Sequence, residues 1–546
     1  MDQMKRRLRA AAISFFIPGG GQIYRKRFLS GIFFLVFFVS LVLFHRIVWI
    51  GFHPFSYFIL FSYLVLWIGN IIDAYKGPYY FPAPCDLYCP AGIRPSLYIL
   101  YLSEDRGREA LKGILDTVPF PGTLGRICFA PCEYPCSRSG TDEPIRIRYL
   151  KRFIFDNEFK DDFKVPKIRN NGKKVAIIGG GVAGITSGYN LRIKGYQVVI
   201  FEREEVAGGM LTMGVPDYRL PKWVVEEEIS YVKKFGVEIK TGIEIGKDRS
   251  FNGLMDEFDA IFIATGSHLN NKLNMKGEGL NGVHYGLDFL KALKRGSPPS
   301  VGERTVVIGG GDVGVDAARS ALRLGSRVAL IPLESREEMP AFEKNVKRAM
   351  EEGVKVTNSW GIDEILGERK VRAVKLKRCC SVYDEVGEFK PSFDENLIKV
   401  EECETLILSI GQRPDLGFLP GDIIVENGGI IVDNALRTSV PGVFAGGDVL
   451  LPSTAVNAVS DGRKAARSID LYLRGIHARI DNLLSFVEYP VPRCPLESNA
   501  PKGEPLKIPV KEKNHNFDEI EGSCSYSEGV LEAKRCLKCP LRFGSF

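Results

Sequence analysis

Two glycine runs have the types and spacing of phosphate cradles. GGGVAG, from Gly179 to Gly184, follows the apolar run KKVAII, and GGGDVG, from Gly309 to Gly314, follows RTVVI. Each opens a helix-like stretch. Each then reaches a second apolar run that ends in an acid, Glu202 in QVVIFE and Glu334 in RVALIPLE. In such a unit the first glycine (Gly179, Gly309) makes the tight turn. The second (Gly181, Gly311) lets the backbone approach a pyrophosphate, and the third (Gly184, Gly314) lets helix pack on strand. The helix N-terminus faces the phosphates, and the acid accepts from a ribose hydroxyl. Two complete units about 130 residues apart imply two dinucleotides, most simply one flavin and one nicotinamide. Two plain glycine turns in an α/β sheet are the blander alternative. Glu334 stands twenty residues beyond Gly314, where an acid meets a free 2′-hydroxyl. A carboxylate repels a 2′-phosphate, so the spacing predicts NADH over NADPH, with Arg336 nearby as the opposing signal.

The twelve cysteines are clustered. Cys85 and Cys89 form C-x3-C-P, Cys128, Cys132 and Cys136 form C-x3-C-x3-C, and Cys536 and Cys539 form C-x2-C. A nicotinamide-dependent chain works in a reducing compartment, where these spacings point to metal rather than to disulfides. Iron–sulfur clusters take thiolates in such local sets, and zinc is the alternative metal. Cys379, Cys380, Cys403, Cys494 and Cys524 have no such spacing.

The elements that must position these residues occupy a chain of 546 residues, too long for one core. Net charge is +7, and the first 27 residues carry seven bases against one acid. The remainder is close to neutral, which excludes the basic face of a nucleic-acid binder. Two uncharged runs, residues 28–44 and 55–72, are each about long enough to span a bilayer as a hairpin. Arg25, Lys26 and Arg27 flank the first run and Lys76 follows the second, so the redox domains are expected on the cytoplasmic side of the cytoplasmic membrane. Two buried soluble helices are the alternative.

The expected organisation is therefore α/β. Residues 1–79 form the membrane hairpin and 80–165 an α-helical cysteine-rich domain. Two Rossmann-like domains follow, the first discontinuous over 166–290 and 405–475, the second over 291–404. There TLILSIG and GVFAGGD are read as strands returning to the first unit. Residues 476–546 are a tail carrying the C-x2-C.

From about residue 80 onward the chain resembles the small (beta) subunit of glutamate synthase. Its relatives include the N-terminal part of dihydropyrimidine dehydrogenase and the large subunit of NADH-dependent ferredoxin:NADP oxidoreductase. The stretches that carry the likeness include CDLYCPAGIRPSLYI, GRICFAPCEYPCSR, GGMLTMGVPDYRLP, EEMPAFEKNVKRAMEEGV, ILSIGQRPD and GVFAGGD. The resemblance implies FAD in the first unit. Gly209, Met210, Tyr218 and Arg219 would border the flavin, and Asp448 its ribityl-phosphate. The helix after Ser453 and Thr454 would aim its N-terminus at the pyrimidine edge, where a reduced flavin gathers negative charge. NADP-using relatives carry arginines where this chain has Leu333 and Glu334.

The same resemblance implies one or two [4Fe–4S] clusters. In relatives the C-x2-C precedes the C-x3-C-P. Here it stands at the other end, in EAKRCLKC, so the chain looks permuted. Cys85, Cys136, Cys536 and Cys539 would hold one cluster, and Cys89, Cys128 and Cys132 a second. Its fourth ligand is open, because relatives place Gln or Glu where this chain has Lys151, and an ammonium has no lone pair.

These parts describe a membrane-anchored NADH-dependent oxidoreductase that relays electrons between NAD(H), FAD, iron–sulfur clusters and a protein partner in a redox complex. No nucleophile or acid–base pair stands outside the cofactor motifs. A self-contained flavin reductase of a small substrate, such as a sulfur compound, is the rival enzyme. A redox-inactive membrane anchor is the rival from another class.

Overall fold

The computed structural model describes residues 12–15, 31–32, 34–40, 64–71, 82–159, 165–476, 506–508 and 516–539. They fall in two units, Met1–Ala83 with Lys538–Phe546, and Pro84–Leu537. In the first unit the described stretches are short helical pieces. Trp67 Nε1 donates to the Phe15 carbonyl and Asn70 Nδ2 to that of Ser14, each at 3.0 Å. The hairpin expected over 28–44 and 55–72 lies for the most part outside the described residues. Among the described ones, no helix is long and apolar enough to cross a membrane.

After a single helical turn at Pro84–Leu87, the second unit holds α1 (Pro95–Ser103), α2 (Gly107–Leu115), α3 (Pro121–Ile127) and α4 (Ile147–Glu158). Pro95 and Pro121 take first-turn positions, where a missing N–H costs no helical bond. Leu102, Leu111, Ile114, Leu124, Leu150 and Ile154 are wholly buried in one core with Cys128 and Cys132. Helices α3 and α4 cross so closely that a Cβ on Gly125 would stand 2.6 Å from the Arg152 backbone.

Two parallel sheets follow. The first holds β1 (Lys174–Ile178), β2 (Gln197–Phe201), β3 (Glu238–Lys240), β4 (Ala260–Ile263) and the late strand β13 (Val443–Ala445), in the order β13-β4-β1-β2-β3. Helix α5 (Val182–Ile193) links β1 to β2, α6 (Lys222–Lys234) precedes β3, and α9 (Ala455–Leu473) packs on α5. The second sheet holds β5 (Val283–Tyr285), β6 (Arg304–Ile308), β7 (Arg327–Ile331), β8 (Lys355–Val356) and β12 (Thr405–Leu408), in the order β5-β12-β6-β7-β8. Helix α7 (Asp312–Arg323) links β6 to β7, and α8 (Glu343–Glu352) precedes β8. An antiparallel ribbon of β9 (Trp360–Gly367), β10 (Val371–Tyr383) and β11 (Phe389–Glu402) is inserted after β8.

The returning strands differ from expectation. TLIL, now β12, pairs with β5 and β6 of the second sheet, and only β13 rejoins the first. Strand β5, expected in the first domain, also belongs to the second sheet. All four residues of β12 are buried, as in any strand covered on both faces. Such a run carries no mark of which sheet it enters. Among the described residues the last helix with given bounds is α10 (Tyr526–Lys534), whose capping box pairs Ser525 with Glu528.

Candidate functional site

Both glycine turns behave as steric devices. Gly179 has φ +106°, and a Cβ there would stand 2.3 Å from the Ala264 carbonyl oxygen. A Cβ on Gly184 would stand 2.0 Å from the Gly179 carbonyl oxygen, which is how α5 packs on its own turn. The second unit repeats this. Gly309 has φ +127° with Ser409 O at 2.2 Å, and Gly314 meets Gly309 O at 2.6 Å. Gly311 meets nothing within 4 Å, and Gly181 only Gly209 Cα at 3.9 Å. Gly181 and Gly311 cap α5 and α7 with no side-chain hydrogen bond, so both N-termini are left open.

The open ends face one cleft of about 1320 Å³, larger than an ordinary small-molecule site. Glu202, Gly209, Met210, Asp448, Ser453 and Thr454 line it from the first sheet, and Glu334 from the second. Buried Glu202 accepts from Gly180 N–H at 2.8 Å and Glu204 N–H at 2.9 Å, and burial raises its carboxyl pKa. Asp448 accepts from Ser453 N–H at 3.0 Å, and burial pushes its pKa up to about 6. Thr454 caps α9, its hydroxyl accepting from Asn457 N–H. Glu334 Oε2 is buried without a hydrogen-bond partner among the described residues. An orphaned carboxylate oxygen beside Gly310 and an uncapped helix is what a bound ribose would satisfy.

Tyr218 corrects an expectation. It does not line the cleft. It is buried at 1 % exposure, with the Arg319 and Arg323 guanidiniums 4.6 and 4.0 Å from its ring and its hydroxyl donating to Asp316. Arg219 does line the cleft, but its guanidinium is paired with Asp316 on α7. The YRLP segment thus joins the first sheet's domain to the second's.

Cys128 and Cys132 are buried in the helical core, with Cys85, Cys89, Cys136, Cys524 and Cys536 packed against it. Cys85 lies close enough to Cys536, Cys132 and Cys136 to feel their charge, and Cys89 and Cys132 likewise feel Cys128. Cys132 thus stands near members of both expected sets. Burial raises the pKa of Cys85, Cys89 and Cys132, so they are neutral thiols until a metal takes the proton. Among the described residues no three His, Cys, Asp or Glu side chains close on a single ion. Thiolates in such local sets are the donors that iron–sulfur clusters take. Cys539 is half-buried and belongs to the first unit.

Cys536 is carried into this core by a charge network. Arg535 Nη1 donates to both carboxylate oxygens of Glu532 at 2.7 and 2.8 Å and Nη2 to Asp142 at 2.8 Å, while Arg138 Nη1 donates to the Arg535 carbonyl at 2.9 Å. Hydrogen bonds from Arg138 and Arg535 hold the Asp142 pKa down at about 2. Ahead of it, Glu519 meets Arg126 at 2.7 Å and Arg152 at 3.1 Å, and Glu521 meets Arg148, Lys344 and Arg348 at 2.9, 3.0 and 2.6 Å.

Sequence reasoning missed that Cys128 and Phe129 line the dinucleotide cleft itself. Phe129 stacks on Phe342, at the start of α8, with ring centroids 5.1 Å apart. It also missed Arg148 as an anchor of the tail. The i, i+4 pair of bases in IRYLKRF was the available signal.

Residues 173–462 match the family model described as pyridine nucleotide-disulphide oxidoreductase. Residues 80–163 match that of the dihydropyrimidine dehydrogenase domain II, 4Fe-4S cluster. The chain belongs to the pyridine nucleotide-disulphide oxidoreductase family. This oxidoreductase is 38 % identical over 499 residues to the NADP(+)-dependent formate dehydrogenase subunit beta of Moorella thermoacetica, covering 84 % of this chain and 70 % of that one. It is 33 % identical over 519 residues to the NADPH-Fe(3+) oxidoreductase subunit beta of Geobacter sulfurreducens, covering 86 % and 76 %. It is 31 % identical over 416 residues to the glutamate synthase [NADPH] small chain of Escherichia coli, covering 70 % and 87 %. FAD, a pyridine nucleotide and a 4Fe–4S cluster are the cofactors of this oxidoreductase.

The expected preference for NADH is overturned by these relatives, each named for NADP(+) or NADPH. Arg336, two residues beyond Glu334, was the opposing signal in the sequence.

Proposed function

We propose that this oxidoreductase is the electron-transfer subunit of a redox complex, exchanging electrons between NADP(H) and a protein partner by way of FAD and iron–sulfur clusters. The observation that carries the reading is the single cleft lined by both glycine turns and by Cys128. When bound, the flavin converts a two-electron hydride into single electrons and the clusters carry them one at a time.

The chain's own residues do the rest. Uncapped N-termini of α5 and α7 attract the two pyrophosphates. Gly181 and Gly311 leave room for them. Glu202 and Glu334 take ribose hydroxyls, and Asp448, Ser453 and Thr454 hold the flavin side. Gly209, Met210 and Leu211 border the cleft and exclude water. Cys85, Cys136 and Cys536 hold a cluster.

Arg336, bound to Glu343 at 2.8 Å, is assigned to the 2′-phosphate. Arg336→Ala should raise KM for NADPH by about tenfold or more, the usual scale for a lost charged hydrogen bond, and leave KM for NADH nearly unchanged. Steady-state dye reduction with both nucleotides checks this, and equal effects on the two would remove the assignment.

Membrane tethering and a cytoplasmic placement belong to the same proposal. They are supported by the two uncharged runs and their basic flanks. Expressed without residues 1–76, the protein should leave the membrane fraction with its flavin. Retention in that fraction would defeat the tether.

A further inference from the structure

Lys151 has no part in the account above. It lies on α4 inside the cysteine-rich core, with 4 % of its surface exposed. Other buried cations of this helix have acids: Arg148 has Glu521, and Arg152 has Asp156 and Glu519. Among the described residues Lys151 makes no ion pair or hydrogen bond with any acid. Its ammonium lies near enough to Cys89 and Cys132 to act on both. A buried ammonium without a counter-charge is costly, and neutral thiols do not supply one. Thiolates do.

We propose that Lys151 is the counter-charge, and not the fourth ligand, of a three-thiolate iron–sulfur site formed by Cys89, Cys128 and Cys132. The inference rests on the iron–sulfur reading above and says what the second set of cysteines is. To coordinate iron, the ammonium would have to lose its proton. That would remove the positive charge the buried thiolates need. The cluster held here therefore has one corner without a protein donor.

The surroundings agree. Arg463 of α9 donates to the Ala91 carbonyl and lies beside Cys89, and Arg148 lies beside Cys128. Adding an electron to a cluster adds negative charge, so a nearby cation favours the reduced form. Lys151 thus favours the reduced form of the site at Cys89, Cys128 and Cys132, which also borders the cleft through Cys128.

The test uses the full-length protein and its Lys151→Met, Lys151→Arg and Lys151→Cys variants. Iron and acid-labile sulfide are counted per flavin, and midpoint potentials are read by paramagnetic resonance during a redox titration. Lys151→Met should shift the potential of one paramagnetic centre downward and leave the other in place. Lys151→Arg should hold both potentials near those of the unmodified protein. Lys151→Cys should change the spectrum of the same centre alone, by completing its thiolate set. Two unshifted centres in Lys151→Met would overturn the proposal. So would loss of the centre in Lys151→Arg, which would make a neutral amine the ligand, or iron sufficient for only one cluster in the unmodified protein. Absence of iron altogether would instead overturn the underlying iron–sulfur reading.

Discussion

Gly311 and Gly314 stand three residues apart and do different work. A Cβ at 314 runs into Gly309 O at 2.6 Å, whereas one at 311 projects into empty space beside the cleft. Gly311→Ala should therefore leave folding and flavin content intact, yet weaken nucleotide binding by about tenfold or more, because its methyl occupies the pyrophosphate's approach. Gly314→Ala should destabilise the nucleotide domain itself, by about 1–3 kcal/mol as an overpacked contact. Titration of NADPH binding, with thermal unfolding as companion, separates the two. Unweakened binding in Gly311→Ala would contradict the cradle. The glycines were legible in the sequence because the backbone geometry they permit depends on local spacing alone. Glu334 was legible in position but misleading as a sign of NADH. Its place in the cleft is a property of the fold and not of the run RVALIPLE. Tyr218 was misplaced for a similar reason, since its partners Asp316, Arg319 and Arg323 come from a helix almost a hundred residues away.

The returning segment 516–537 is the element that ties the domains of the second unit together. Glu521 joins α4 and α8, Glu519 joins α3 and α4, and Ile520 N–H donates to the Tyr218 carbonyl at 3.1 Å. Burial alone would raise the Glu521 pKa, but Arg148, Lys344 and Arg348 overcome it and hold the group well below the ordinary carboxylate range. A depressed folded-state pKa gives stability that is present above the unfolded pKa of about 4.3 and is lost as pH falls through the folded value. Docking of the segment should therefore hold across neutral pH and loosen only in strong acid. Glu521→Gln should cost about 3–5 kcal/mol of local docking, because it leaves Arg148 buried without its acid. Faster amide exchange across 516–537, with the sheet cores unchanged, is the expected readout, and unchanged exchange would contradict it. The return of this segment was legible through its cysteines. The acids that fasten it were not, because single acids in a polar stretch have no periodicity to mark them.

At the scale of the whole molecule, the class of fold and the two dinucleotide units could be read from strand–turn–helix patterns. The sheet to which TLIL belongs could not, since a strand buried on both faces fits either sheet equally. Nor could the meeting of the cysteine core with the dinucleotide cleft, which depends on how the domains of the second unit pack. That meeting at Cys128 is the basis of the functional reading. It is tested most directly by anaerobic reduction of the Cys128→Ser variant with NADPH, followed by optical absorption for the flavin and by paramagnetic resonance for the clusters. The account predicts that the flavin is bound and reduced as in the unmodified protein, while the paramagnetic signal of the Cys89–Cys128–Cys132 site is lost. A full complement of reduced-cluster signals in that variant would show that Cys128 holds no cluster at the cleft, and would contradict the account.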